Sequence, residues 1–337
     1  MKQTNKTKKS MPAWFGPLMA LIILTIILAI VTDRFVYHDN IMNVLRQSSI
    51  NALVALGMLF VLLTGGIDLS VGSVVALSAC VMAVFMKSFG ITTPFILIPV
   101  GLLCGVVVGT INGLLFTKAK LPHPFVSTLG MMMMIRGVCL ILTGARPMTG
   151  FPDSVLWLGR ANMVFPVNFI LVIIMCLAYS VLLNRTTLGR QIYAVGGNKE
   201  AARLSGIDVD KTVCFVYIVS GFMAALAGIV LLGRISTAYA LSGDKYEMDA
   251  IAACVIGGAS FNGGVGSVLG TLIGALMIGV LRNGLNLLGA KSDVTQVVIG
   301  AVIILAVYID VMRARAAYNL ERNEQARAME AEEAQSA

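Results

Sequence analysis

The residues best suited to chemistry stand in the stretch TGGIDLSVGS, which separates two apolar runs. The stretch carries a carboxyl group, a hydroxyl and two glycines, and the run before it carries an amide: Asp68, Ser70, Gly65, Gly66 and Asn51. A carboxylate within such an apolar segment can bind a proton or a sodium ion, or line a polar pathway. It can equally cap the next helix by accepting amide hydrogens from its first turn. Both roles stay open for Asp68, and they are compatible.

A second interruption, IGGASFNGGVGS, contains Gly257 and Gly258 and ends a short apolar segment. As a helix, that segment, 248–258, is only about 16 Å long. The apolar part before the first break, 50–63, is about 21 Å long, and both are shorter than the hydrocarbon core of roughly 30 Å. Irregular backbone at membrane depth is tolerated only beside protein or water, so such paired short segments point to a transport pathway. We expect the pathway to involve Asn51, Gly65, Gly66, Asp68, Ser70, Gly257 and Gly258.

The most strongly marked polar loop, 185–211, reads RTTLGRQIYAVGGNKEAARLSGIDVDK. Its Gly196-Gly197-Asn198 run predicts a turn, and the following residues predict a short helix that Gly206 ends. Four residues give this helix an apolar side, as docking on a partner would need: Ala201, Ala202, Leu204 and Ile207. The alternative is that the loop is a solvated linker, which is the usual role of charged loops.

The chain offers no residues arranged for catalysis or metal binding. The six cysteines stand singly in apolar segments, and the two histidines, His38 and His123, are far apart in sequence. Neither a metal-ligand spacing nor a disulfide framework is indicated. The chain also has no G-x-x-x-x-G-K-[ST] phosphate loop, so any use of ATP would require a separate subunit. We therefore expect no catalytic residue, no metal and no cofactor in this chain.

The composition defines the elements that must position these residues. Hydrophobic residues make up 58% of the 337 and charged residues only 12%, and the mean hydropathy is +0.88. Such a chain is an integral membrane protein, and runs of about twenty apolar residues favour helices over outer-membrane strands. We predict an all-α fold with about ten transmembrane segments: 14–32, 41–63, 67–86, 95–117, 125–144, 168–184, 213–233, 248–258, 267–289 and 295–312.

Two sequence patterns bear on how these helices pack. Glycines recur every four residues at Gly101, Gly105, Gly109 and Gly113, and a similar row lies at Gly266, Gly270 and Gly274. Such rows predict close contacts between helix backbones. The triplets starting at Asn112 and Asn283 each read Asn-Gly-Leu and close an apolar run, which suggests an inverted repeat of 41–144 and 213–312. The broken, short helices would lie near the pathway.

The distribution of positive charge predicts the orientation. With a cytoplasmic N-terminus and ten crossings, fifteen Lys and Arg residues fall inside and seven outside, leaving three within spans. We therefore expect a cytoplasmic tail at 1–13, a transmembrane domain at 14–312 and a cytoplasmic charged tail at 313–337. The net charge of +8 is then an orientation signal, and no nucleic-acid partner is indicated.

Four motifs in order carry a resemblance that covers about residues 40–312. TGGIDLSVGS, GGNKEAARLSGI, DAIAACVIGG with GGVGSVLGTLIGAL, and RNGLNLLG together resemble the permease subunits of bacterial ribose-type sugar importers powered by ATP-binding cassettes. The resemblance implies a permease homodimer in the bacterial inner membrane, a cytoplasmic ATPase subunit that binds ATP, and a periplasmic sugar-binding protein. It implies import of a monosaccharide or a related polyol.

Carried over to this sequence, the resemblance makes the break from Thr64 to Ser70 part of the pathway core. It makes the segment from Gly196 to Gly206 the contact with the ATPase, through Gly196, Gly197, Asn198, Ala201, Ala202, Arg203 and Gly206. It does not identify the sugar. The alternative function is an ion-coupled secondary transporter that uses Asp68 as its proton or sodium site. A membrane enzyme, the third class, is disfavoured because no nucleophile and base stand together.

Overall fold

The computed structural model describes residues 14–121, 123–308 and 311–312. The predicted tails at 1–13 and 313–337 lie outside the described residues. The chain divides into two compact units, residues 1–290 and 291–337. Every site described below lies in the first unit.

Within the described residues the chain is helical. In chain order the α-helices are α1 (Phe15–Val31), α2 (His38–Leu63), α3 (Val71–Phe89), α4 (Pro94–Thr117), α5 (Pro124–Thr143), α6 (Asp153–Arg160), α7 (Val167–Arg185), α8 (Thr187–Gly197), α9 (Lys199–Leu204), α10 (Val209–Ile235), α11 (Tyr246–Ile256), α12 (Val268–Leu287) and α13 (Ser292–Tyr308). A single 3-10 turn, Asp33–Val36, joins α1 to α2.

Each of the ten predicted segments coincides with one of these helices, which confirms the prediction of an all-α membrane protein. Among the described residues, seven helices are long and apolar enough to cross a membrane by themselves: α2, α3, α4, α5, α7, α10 and α12. Helices α1 and α13 are shorter, and α11 has only 11 residues. The prediction that α11 is a short element is therefore confirmed.

The second predicted segment, 41–63, matches α2, and only its apolar part, 50–63, is short. Helix α2 is continuous for 26 residues, or about 39 Å, because its polar first turns are helical as well. The break after Leu63 therefore does not come from a helix that is too short to span a membrane. It comes from the glycines and polar residues that follow.

Polar side chains fix where several helices begin. The hydroxyl of Thr186 accepts a hydrogen bond from the amide of Gly189 at the start of α8, at 3.1 Å. Asp208 accepts from the amide of Lys211 at the start of α10, at 3.0 Å. Such caps satisfy amide hydrogens that have no partner within the helix.

The centre of the first unit is formed by α2 and α10, whose apolar stretches are the most completely buried. The predicted glycine row on α4 packs directly against α10. A Cβ added at Gly105 or at Gly109 would meet backbone atoms of Gly221 or Tyr217. The second row acts in the same way, because a Cβ at Gly270 or Gly274 on α12 would meet the backbone around α11. Both predicted contacts are confirmed, and the inverted repeat stays a prediction.

Candidate functional site

The first predicted break turns the chain sharply after α2. Gly65 has a φ of +70°, a left-handed conformation that residues with a Cβ resist. The amide hydrogens of Thr64 and Gly66 both return to the carbonyl oxygen of Val61. Gly66 is required for a different reason, since a Cβ there would lie 3.0 Å from the hydroxyl oxygen of Tyr217.

Asp68 is the centre of a buried hydrogen-bond network that joins three helices. Its side chain is almost wholly buried, with 1% of the residue surface exposed. Its Oδ1 atom accepts from the amide of Ser70 at 3.0 Å and from the hydroxyl of Ser70 at 2.6 Å. Its Oδ2 atom accepts from the hydroxyl of Ser220 on α10 at 2.9 Å. Asn112 on α4 completes the network by donating from Nδ2 to the Ser70 hydroxyl oxygen at 2.9 Å.

This network lies deep within the bundle. Ser220 is eleven residues beyond the first residue of α10, which places Asp68 beside α10 about 17 Å from that end. The hydroxyls of Tyr217 and Thr128 also donate to the carbonyl oxygen of Ile67, both at 3.4 Å. Asp68 accepts from the amide of Ser70, the residue that precedes α3, and, among the described residues, from no amide in the first turn of α3. It therefore holds the turn before α3 and links that turn to α10.

Sequence reasoning missed Ser220 and Asn112 as partners of Asp68. The available signal was that each is a polar residue within a strongly apolar run, where an unpaired polar group would be costly. Two arginines that lie within the predicted spans, Arg46 and Arg136, do not bond to Asp68. Arg46 donates to Oδ1 of Asn162 at 2.9 and 3.2 Å, and Arg136 donates to backbone carbonyls of the loop after α10.

Asn51 is buried on α2 but lies away from the Asp68 network. Helix α2 approaches Ser220 at Gly57, where a Cβ would come within 3.1 Å of the Ser220 α-carbon. Asn51 is six residues from Gly57, or about 9 Å along the helix. The structure therefore does not bring Asn51 together with Asp68 and Ser70.

The second break follows α11 and touches the first. Gly258 has a φ of +92°, and Gly257 packs so closely on α12 that a Cβ there would meet the backbone of Gly270. Farther along this loop, the amide of Gly264 donates to the carbonyl oxygen of Leu63, the last residue of α2, at 2.9 Å. The two predicted breaks are therefore joined by a direct backbone hydrogen bond.

A buried charged cluster near α11 was not predicted. Asp249 on α11 pairs with Arg282 on α12 at 2.7 Å, and Asp249 is buried. Arg136 on α5 donates from Nη1 to the carbonyl oxygens of Ala240 at 2.6 Å and Ser242 at 2.9 Å. These contacts hold α11 against α12 and the loop after α10 against α5. The sequence placed both arginines within spans but gave no sign of their partners.

The polar loop 185–211, called the coupling segment below, forms two helices. The unpredicted helix α8 includes Gly196 and Gly197 as its last residues, so the predicted turn begins only at Asn198. The Oδ1 atom of Asn198 accepts from the amides of Glu200 and Ala201, both at 3.0 Å, and starts α9. Gly206, with a φ of +84°, follows the end of α9 as predicted.

Some side chains of α9 pack against the helix bundle, and others are exposed at the surface. Ala202 is buried, with 4% of its surface exposed, whereas Leu204 is 89% exposed. Arg203 is also exposed and pairs with Glu200 at 2.9 Å. Ala202 therefore packs on its own chain and is not available to a partner. Leu204 is the large apolar side chain that α9 presents, beside the smaller Ala201.

Charged side chains at and just after α9 are also paired or partly buried. The amide hydrogen of Lys211, and then its ammonium group, hold the pKa of Asp208 below its usual value. Burial lowers the pKa of Lys199, whose ammonium nitrogen lies 5.4 Å from the centre of the Phe116 ring on α4. Lys199 thus lies against α4 at the start of α9, and Asp208 caps the start of α10.

Comparison with known proteins agrees with this architecture. The family described as the permease component of the branched-chain amino acid transport system matches residues 40–307. The ribose import permease of Bacillus subtilis (strain 168) is 46% identical over 298 residues, which cover 88% of this chain and 92% of that protein. The Escherichia coli (strain K12) ribose import permease is 42% identical over 299 residues, covering 87% of this chain and 92% of that protein.

Other relatives carry different substrate names. The D-allose transport system permease of Escherichia coli (strain K12) is 41% identical over 294 residues, which cover 86% of this chain and 89% of that protein. No match to a solved structure was found. Because the family match spans most of a chain that folds as a bundle of membrane helices, this protein belongs to the permease component family of these transport systems.

Proposed function

We propose that this chain is the transmembrane permease subunit of an ATP-binding-cassette importer that moves a monosaccharide across the bacterial inner membrane. The observation that carries the proposal is the 46% identity to a ribose import permease along nearly the whole of both chains. Ribose is the first candidate substrate. The identity is 42% to a second ribose permease, 41% to an allose permease and 34% to a galactose permease.

The chemistry of the bundle also favours an uncharged substrate. A free amino acid carries a carboxylate and an ammonium group, which need charged partners away from water. Among the described residues, three charged groups near the breaks are already engaged, whereas buried Glu247 on α11 has an Oε2 atom without a hydrogen-bond partner. Asp68 accepts from two serines, Asp249 pairs with Arg282, and Arg136 is bound to two carbonyl oxygens. A sugar needs only hydroxyl partners, so the selectivity for it can reside on a separate binding protein.

The proposed partners follow from the same reasoning. The chain lacks a phosphate loop of its own, so ATP is bound and hydrolysed on a separate cytoplasmic subunit that contacts α9. A second copy of the permease and a periplasmic sugar-binding protein complete the importer. The positive charge count supports cytoplasmic termini and a cytoplasmic 185–211 segment.

Sugar uptake in cells tests the proposal. The chain is produced with its ATPase and binding protein in a bacterial strain that lacks its own ribose, allose and galactose permeases, and uptake of labelled ribose is measured. We expect uptake that unlabelled ribose suppresses more strongly than allose or galactose does. Uptake of labelled leucine, with none of any of the three sugars, would contradict the proposal.

A further inference from the structure

The end of α8 lies against the junction of the two breaks. A Cβ added at Gly196 would meet the carbonyl oxygen of Leu63 and the amide nitrogen of Gly264. These two atoms form the 2.9 Å hydrogen bond that joins the end of α2 to the loop after α11. The backbone of α8 therefore packs directly on that hydrogen bond, with no side chain between them.

Two further contacts join α8 to the same loop. The hydroxyl of Tyr193, one turn before Gly196, donates to the carbonyl oxygen of Gly266 at 2.9 Å. A Cβ at Gly263 would lie 2.9 Å from the carbonyl oxygen of Gly196 and 2.8 Å from the amide nitrogen of Gly65 in the first break. The three chain segments thus meet through backbone atoms of glycines.

We infer that Gly196 is a positioning residue through which movement of the coupling segment, 185–211, reaches both breaks. Backbone atoms in direct contact transmit a displacement that a flexible side chain would absorb, because packed interiors resist compression. Asn198 alone separates the end of α8 from the start of α9, so a force applied to α9 reaches this junction through one residue. The inference rests on the proposed function and assigns Gly196 a role inside the permease, in place of a contact with the ATPase.

Alanine substitution tests this role. Gly196→Ala and the control Gly130→Ala each add one methyl group within a helix, and the methyl group at position 130 meets no other atom within 4 Å. Each variant is assembled with its ATPase and binding protein in proteoliposomes. Ribose uptake and ATP hydrolysis are measured together, and their ratio is the readout. A defect that only reduces the amount of folded complex lowers both quantities and leaves the ratio unchanged.

We expect Gly196→Ala to lower the ratio by about tenfold, the change that about 1.4 kcal/mol produces, while Gly130→Ala keeps the wild-type ratio. If Gly196→Ala fails to assemble, the ratio is measured for Tyr193→Phe instead, because this change removes only the hydroxyl that donates to the carbonyl oxygen of Gly266. We expect it to lower the ratio by about threefold, as loss of one hydrogen bond does. Wild-type ratios in whichever variant assembles would overturn the inference. Failure of the wild type to transport any sugar with ATP would instead overturn the proposed function.

Discussion

At the scale of single residues, Asp68 is a structural link that the sequence only half identified. The carboxylate beside two glycines predicted a cap on the next helix, whereas Asp68 accepts from the amide of Ser70, the residue before α3. Its link to Ser220 could not be predicted, because the two residues are 152 positions apart and only the folded bundle brings them together. Local chemistry is readable from sequence, whereas long-range partners depend on helix packing.

Substitution of Asp68 separates its structural role from a role for its charge. Asp68→Ala removes the acceptor of the Ser70 and Ser220 hydroxyls, and each buried group left without a partner costs about 1–3 kcal/mol. We therefore expect a lower melting temperature in detergent and less assembled complex. Asp68→Asn retains an acceptor for Ser70 and should keep most of the transport.

Thr143→Val is the control for these variants, because the Thr143 hydroxyl bonds only within its own helix, to the carbonyl oxygen of Cys139 at 2.8 Å. It should melt close to the wild type. A stable Asp68→Asn complex without any transport would show that the charge itself acts in the mechanism. That result would revive the ion-coupled alternative.

The pair formed by Asp249 and Arg282 gives a second prediction at this scale. Removing one partner of a fully buried ion pair typically costs about 3–5 kcal/mol, and the cost here is smaller because the Arg282 side chain is 30% exposed. Asp249→Ala and Arg282→Ala should each lower the melting temperature of the detergent-solubilised chain strongly. The double variant should be less damaged than the sum of the two. Additive losses would contradict the account of this pair.

At the scale of elements, the sequence predicted most helices correctly because each apolar run has a length set by the membrane. For α2 the predicted start, residue 41, lies three residues after the observed start at His38. Sequence reasoning missed α8, because a sequence ending in two glycines resembles a turn. The glycine rows were predictable, since close backbone contact leaves few alternatives to glycine.

The exposed residue of α9 gives a prediction at this scale. A side chain that is 89% exposed and apolar suits a contact with a partner, so Leu204→Asp should leave the permease folded but weaken its association with the ATPase. Val164→Asp is the matched control, at a residue that is 83% exposed in the loop before α7. Copurification of the ATPase with each variant is the measurement. Equal recovery with both variants would exclude Leu204 from the contact.

The orientation of the elements is testable by labelling. Single cysteines at Asn198 and Ser154, in a chain without the native six, should react from opposite sides of the membrane because the charge count places them so. Both positions are exposed in the structure. An impermeant thiol reagent added to intact spheroplasts should label only position 154. Labelling of both positions from outside would refute the predicted topology.

At the largest scale, the first unit is a helix bundle whose two breaks and coupling segment meet at one place. The sequence placed each of these parts but could not show that they touch, because their separation in the chain hides their contact in space. The backbone hydrogen bond between Leu63 and Gly264, with Gly196 packed on it, brings the three parts into direct contact. A transporter driven by a separate ATPase needs such a connection.

The most direct test of the central claim compares energy sources for transport. Proteoliposomes containing the chain, its ATPase and its binding protein are supplied with either internal ATP or a proton or sodium gradient, and uptake of labelled ribose is followed. We predict uptake with ATP that ceases when the ATPase or the binding protein is omitted, and none with either gradient alone. Ribose uptake by the chain alone, driven by an ion gradient and indifferent to ATP, would contradict the account.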